Sequence, residues 1–185
     1  MSKRDHGIFY GMQYSDFLFL WVLFANLLLV AYLGVANHQK ALKVGQSQEN
    51  GEQIVAWFEG FEAKLQAGES VSPKACVSAE EGSGKSASTI NTWKDCVSAL
   101  FEADGPFKNY TNLLMPADPP YASKCDKQDL GTSGAFIFEK LNANPAGPPV
   151  ATPIEAHEKL ISGMNIRLSV CDTGYYLVKI GEFKL

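Results

Sequence analysis

The chain has 185 residues, of which 46% are hydrophobic and 19% are charged, and its formal net charge is −4. This composition supplies enough apolar side chains for one packed domain plus an anchor, and it excludes a wholly disordered chain. No stretch concentrates five or more Lys and Arg residues. A mildly acidic chain without a basic cluster does not attract phosphate backbones, so no nucleic-acid partner is expected.

The chain contains an uncharged apolar run of twenty residues, Phe17–Ala36, in which Asn26 has the one strongly polar side chain. As a helix this run is about 30 Å long, which matches the hydrocarbon core of a bilayer. A cleavable secretory signal is the main alternative, because Lys3 and Arg4 form a basic start. The run is too long for a signal core, and no small-x-small cleavage site directly follows it. The sequence therefore predicts one transmembrane helix.

All four cysteines follow the apolar run: Cys76, Cys96, Cys125 and Cys171. An even number without C-x-x-C spacing, beside scattered histidines, fits two disulfides better than a metal site. Disulfides indicate an oxidising, non-cytoplasmic compartment, whereas the basic residues flanking the run leave the orientation nearly tied. Three pairings are possible, and sequence proximity favours Cys76 with Cys96 and Cys125 with Cys171.

The helical pattern resumes after the apolar run. One apolar stripe recurs at steps of three and four residues: Ile54, Trp57, Phe58, Phe61 and Leu65. Residues 37–53 contain no proline, so a continuous or slightly kinked helix over about 12–66 is predicted. Its first half would lie in lipid and its second half would be amphipathic, with Gly68 as the stop.

The middle of the chain predicts fewer regular elements. Residues 68–88 are rich in Gly, Ser and Glu and are interpreted as a loop. A second helix is expected after Ser88 or Thr89 as its cap. Residues 104–133 lack periodicity and predict an irregular connector, and residues 134–141 predict a strand.

The C-terminal third predicts a proline-rich loop over 142–151 and a short helix that starts at residues 152–155 (TPIE) and ends at Gly163. Residues 164–170 alternate between apolar and polar, and with 175–183 they predict an antiparallel hairpin. The elements together predict an α+β fold, in which the long helix packs on a small antiparallel sheet.

The sequence contains no convincing constellation of catalytic residues. Residues 79–86 (AEEGSGKS) match a relaxed phosphate-loop pattern, but no strand of adequate length precedes them. We interpret them as a surface loop. The chain is therefore expected to bind no cofactor and to catalyse no reaction.

Asp16 lies one residue before the apolar run, at the expected membrane edge. A carboxylate in this position has a desolvation cost unless it reaches headgroups, water or a cation. One interpretation is an interfacial residue that marks the membrane boundary. The other is a contact between subunits within the lipid.

This layout resembles that of type IV pilins and pseudopilins. In that family a short basic leader ends in glycine, and an acidic residue stands fifth in the apolar helix that follows. Here Gly11 precedes Met12, and Asp16 is then the fifth residue. Gly7 is an alternative cleavage point, but it puts Met12 in the fifth position.

The resemblance implies a leader over 1–11, a transmembrane and amphipathic helix over 12–67, and an extracytoplasmic, disulfide-stapled domain over 68–185. It implies a structural subunit of a pilus-like filament or pseudopilus in the bacterial inner membrane, which becomes extracellular once processed. Copies would pack through their apolar helices, with Asp16 offsetting the terminal amine of a neighbour. The alternative is a single-span accessory subunit of a larger membrane complex.

Overall fold

The computed structural model describes residues 14–77, 91–102 and 104–185. Contacts divide the chain into two compact units, one ending at Ala41 and one running from Leu42 to Leu185. The first unit consists, in its described part, of apolar helix. The second contains the sheet, the second helix and the hydrophobic core. The fold is α+β, with one long N-terminal helix and a small mixed sheet.

The long helix, α1, spans Tyr14–Gln66. Two residues after its last residue comes Gly68, whose φ of +72° is a left-handed conformation that glycine adopts without a steric penalty. The Gly68 N–H donates to Leu65 O at 3.0 Å, and the Glu69 N–H donates to Lys64 O at 3.0 Å. These bonds satisfy carbonyls that the last turn leaves unpaired. The predicted long helix and its glycine stop are confirmed over the described residues.

The second half of α1 packs on the sheet through the predicted apolar stripe. Ile54, Phe58 and Phe61 are buried, while Trp57 and Leu65 are partly buried against the same core. The side chains recur on one face because residues three and four apart are neighbours on a helix. Burial of this face fixes α1 to the domain within the second unit.

The second helix, α2, spans Trp93–Phe101 and begins later than expected. Its cap is Thr92, which accepts a hydrogen bond from the Asp95 N–H at 3.4 Å, while Asp95 Oδ2 accepts from the Thr92 N–H at 3.1 Å. The prediction of Ser88 or Thr89 as cap is wrong, and both residues lie outside the described part of the chain. An acidic side chain three residues after the cap makes Thr92 the better start.

The sheet has five strands. They are β1 (Tyr121–Ala122), β2 (Phe136–Asn142), β3 (Val150–Pro153), β4 (Asn165–Cys171) and β5 (Leu177–Lys184). The order is β1-β2-β4-β5, and β3 also pairs with β2. Since β4 occupies one edge of β2, β1 and β3 share the other edge. The β1–β2 pair is parallel, so the prediction of a purely antiparallel sheet is wrong. The sequence does not reveal β1, because two residues are too few to show a strand pattern.

The predicted C-terminal hairpin is confirmed as β4 and β5. Its turn is organised by Asp172, whose Oδ1 accepts hydrogen bonds from the Gly174 N–H at 2.7 Å and the Tyr176 N–H at 2.8 Å. This is the local bonding that makes aspartate common in turns. The register of the pair shifts between Leu168 and Ser169.

The helix predicted to start at residues 152–155 is wrong. Residues of this segment form β3, where Thr152 pairs with Lys140 of β2, and the Asn142 amide donates to Thr152 Oγ1 at 2.8 Å. Pairing with β2 satisfies the backbone of β3, and Ile154 then enters the core. Tertiary pairing has overridden a good local cap signal.

Candidate membrane anchor and assembly surface

Over residues 17–36 the surface of α1 is apolar and mostly exposed. Trp21 is 60% exposed and Phe24 is 57% exposed, and the most apolar eighteen-residue window has no buried part. Leaving one large apolar side chain in water costs about 1.5–3 kcal/mol relative to burying it. This helix is long and apolar enough to cross a bilayer.

Asn26 makes a hydrogen bond within the helix itself. Its amide Nδ2 donates to the carbonyl oxygen of Val22, four residues earlier, at 2.8 Å. A polar side chain in hydrocarbon is costly when its hydrogen bonds are unmade. The bond to its own helix therefore lowers the cost of placing Asn26 in apolar surroundings.

Asp16 lies in the first turn of α1, and its side chain is exposed. Gly11 and Met12, the predicted cleavage site, lie outside the described residues.

The charge of α1 changes sign beyond the apolar run. Two exposed lysines come first, Lys40 and Lys43, and four glutamates follow: Glu49, Glu52, Glu59 and Glu62. Residues 44–63 contain no Lys or Arg. The helix therefore has a basic segment followed by a longer acidic one.

A groove with a volume of about 490 Å³ lies beside the acidic segment. Glu59 and Glu62 of α1 line one side, and Leu141 of β2 and Phe183 of β5 supply apolar surface. Glu182 also borders the groove, and its carboxylate lies 2.8 Å from Lys179 Nζ and 3.2 Å from Arg167. The hydrogen bond from Lys179, followed by that from Arg167, lowers the pKa of Glu182 below its usual value. The groove thus combines an apolar floor with the two glutamates of α1 on one side, and Lys184 of β5 also lines it.

Two disulfides staple the second unit. Cys76 is bonded to Cys96, which joins the 3-10 turn Lys74–Cys76 to α2, and Cys125 is bonded to Cys171 at the end of β4. These are the pairs that sequence proximity favours. Each bridge links a segment outside the α-helices and strands to one of these regular elements. The bridges therefore restrain segments that lack the regular backbone hydrogen bonds of an α-helix or a strand.

One hydrogen bond between α1 and the irregular connector could not be predicted from the sequence. Tyr110 lies in the irregular connector, and its hydroxyl donates to Gln53 Oε1 of α1 at 2.5 Å. Burial raises the pKa of the Tyr110 phenol. The contact fastens the connector to α1, and only the tertiary fold brings the two residues together.

The predicted disulfide cysteines and Asp16 belong to different parts of the protein. The cysteines lie in the second unit, whereas Asp16 lies in the first. Within the described ranges, no three His, Cys, Asp or Glu side chains are grouped so that they could hold a metal ion. The phosphate-loop-like residues 79–86 lie outside those ranges.

The comparisons leave the family open. No protein-family model, no curated protein and no solved structure matches this chain. The function must therefore be argued from the helix, the sheet and the charges themselves.

Proposed function

We propose that this protein is a structural subunit of a type IV pilus-like filament or pseudopilus, which assembles through α1. The observation that carries the proposal is the continuity of α1. One uninterrupted helix, Tyr14–Gln66, joins an exposed apolar surface to a stripe buried against a disulfide-stapled domain. This is the layout that a subunit needs if its helix is to pack among other helices while its domain remains outside.

The apolar half of α1 first holds each copy in the bacterial inner membrane, with the second unit on the non-cytoplasmic side. The length of the helix and the two disulfides support this location. During assembly the apolar helices exchange lipid for one another. The protein acts by packing, so the proposal includes no catalysis, no cofactor and no nucleic-acid partner.

Asp16 selects the position of each incoming copy in this mechanism. Cleavage between Gly11 and Met12 frees an α-amino group, and the carboxylate of Asp16 in one copy attracts that amine in the next. A charge pair in apolar surroundings interacts more strongly than the same pair in water. The pair therefore sets the axial position at which apolar helices dock.

The test replaces Asp16 in the organism that carries the protein. Asp16→Ala should insert into the membrane normally but lower the yield of sheared surface filaments by at least about tenfold, because the charge pair is lost. Asp16→Glu keeps the carboxylate and should retain assembly. Membrane-inserted monomer is measured beside filaments, and equal filament yields from wild type and Asp16→Ala would refute the mechanism.

N-terminal sequencing of the native protein separates this proposal from the accessory-subunit alternative. A filament subunit should begin at Met12. A single-span accessory subunit would keep residues 1–11 and would co-purify with its host complex even when Asp16 is replaced by alanine.

A further inference from the structure

Two pairs of like charges on α1 have the same spacing. Lys40 and Lys43 are three residues apart, as are Glu59 and Glu62. Residues three apart lie on the same side of a helix, so each pair forms a patch of one sign. Glu59 follows Lys40, and Glu62 follows Lys43, by the same nineteen residues. The two patches can therefore face each other in register on two separate copies of the helix.

The segment between the lysines also suits the groove. Leu42 is 60% exposed and stands between Lys40 and Lys43. The groove offers Leu141 and the ring of Phe183 beside the glutamates of its α1 side. An aliphatic side chain flanked by two cations matches this surface, because lysine stems cover apolar area while their ammonium groups reach carboxylates.

We infer that the segment Lys40–Lys43 of one copy docks in the groove beside Glu59 and Glu62 of a second copy. The inference rests on the proposed assembly through α1, and it names a contact between two copies other than the pair joined through Asp16, since Asp16 reaches the amine of Met12 only at a shift of about four residues. Among the described residues, Glu59 forms no ion pair within its own chain. Its carboxylate is thus available to a lysine of the neighbour.

The stagger agrees with where α1 becomes buried. Copies that leave the membrane for the filament keep their parallel orientation, and in the filament a shift of nineteen residues displaces two helices by about 29 Å. The last residue of α1 in one copy, Gln66, is then level with Ser47 of the next. Ser47 is the first residue of α1 that is buried. The neighbouring helix therefore ends where the partner helix begins to be covered by its own domain.

The other acidic pair does not meet this condition. Glu49 and Glu52 follow Lys40 and Lys43 by nine residues. That shift would bring Gln66 of one copy level with Trp57 of the next, inside the stretch packed on the sheet. Glu49 and Glu52 therefore provide a matched control pair with the same charge and spacing on the same helix.

The contact is between two different surfaces, a segment on one copy and a groove on the other. Such a head-to-tail contact leaves an unused groove at one end and an unused segment at the other. It continues from copy to copy unless a rotation closes it into a ring. The geometry thus favours extended growth over a closed dimer.

Charge reversal in the full-length protein tests the contact. Lys40→Glu with Lys43→Glu, or Glu59→Lys with Glu62→Lys, should each lower the yield of sheared filaments by about tenfold, because like charges then face each other. The four substitutions together should restore the yield to within about threefold of wild type. Reversal of Glu49 and Glu52 should not rescue the lysine reversals. Membrane-inserted monomer with both disulfides intact serves as the folding control.

Cross-linking provides a second measurement that does not depend on filament yield. A chain with Lys43→Cys and Glu62→Cys should form disulfide-linked ladders between copies, whereas Lys43→Cys with Glu52→Cys should not. If the four combined substitutions fail to restore the filaments and the cysteine pair forms no ladders, this contact is overturned. The proposed function still stands if the filament yield of the same cells depends on Asp16. Absence of filaments from wild-type cells would overturn the proposed function and this contact with it.

Discussion

Phe58 of α1 and Phe183 of β5 stack face to face, with ring centroids 4.1 Å apart and planes 5° from parallel. Phe58 is 0% exposed and Phe183 is 5% exposed. The helix and the sheet therefore bury these two rings against each other, and neither element could bury its own ring alone. Loss of either ring should weaken the attachment of α1 to its domain.

Phe58→Ala should lower the free energy of unfolding of the domain by about 3–5 kcal/mol, because it removes a fully buried aromatic ring and leaves a cavity. Denaturant unfolding of the full-length protein in detergent measures this change, with tryptophan fluorescence as the signal. Tyr176→Ala is the control. Tyr176 is 67% exposed, so its removal should change stability by about 0.5 kcal/mol or less. A similar loss for both variants would contradict the packing described for Phe58.

Two glycines of α1 should respond in opposite directions. A side chain at Gly51 would meet Ile180 and also Phe136, the latter at 3.2 Å, whereas a Cβ at Gly60 meets no atom within 4 Å. Gly51→Leu should therefore destabilise the domain by about 1–3 kcal/mol through overpacking. Gly60→Ala should stabilise it by about 0.5–1 kcal/mol through helix propensity. Thermal unfolding of both variants checks the sign, and stabilisation by Gly51→Leu would show that α1 is not held close to β5.

The two disulfides should differ in what their removal costs. Cys76–Cys96 closes a separation of 20 residues and Cys125–Cys171 one of 46. Chain entropy predicts losses of about 3.3 and about 4 kcal/mol for the paired alanine variants. Denaturant unfolding measures the losses, and mass spectrometry of a non-reduced digest confirms that the other bridge is intact. A larger loss for the shorter loop would point to the packing of buried Cys96 instead of chain entropy.

The cap of α2 should make stability depend on acidic pH. Hydrogen bonds from Thr92 hold the pKa of Asp95 below its ordinary value of 3.8. A carboxyl whose pKa is lower in the folded state binds protons more readily when unfolded, so it stabilises the fold above the ordinary value. This contribution should fall as the pH drops through 3.8 and should vanish below the folded pKa. Asp95→Asn should flatten this part of the stability curve, while Thr92→Ser should preserve it.

The sequence predicted those elements whose periodicity is long enough to be unambiguous. The stripe from Ile54 to Leu65 defines the buried face of α1, and the alternation in residues 164–170 defines β4. The helix predicted from segment 152–155 is wrong because its cap signal is local, whereas Thr152 pairs with Lys140 of β2, twelve residues earlier. β1 could not be predicted from any stretch of the sequence, because its two residues form a strand only by pairing with β2.

Of the candidate site, the membrane anchor was predictable from the sequence and the groove was not. The apolar run and Asp16 are contiguous features, and both were identified from their spacing. The groove is not contiguous, because Glu59, Leu141 and Phe183 meet only through packing of α1 on the sheet. The charge pairs Lys40–Lys43 and Glu59–Glu62 are visible in the sequence, but their meaning requires knowing where α1 becomes buried.

The arrangement of β1 and β3 on one side of β2 has a consequence for aggregation. These two short strands cover that edge of the sheet, so within the described chain the long open edge belongs to β5. An open edge invites pairing with strands of other molecules, and charged side chains and irregular register discourage it. Lys179 and Lys184 place charges along β5, and its pairing with β4 is irregular at Leu168. Joining of molecules strand to strand is therefore disfavoured, so amyloid-like pairing would compete little with the proposed association through helices.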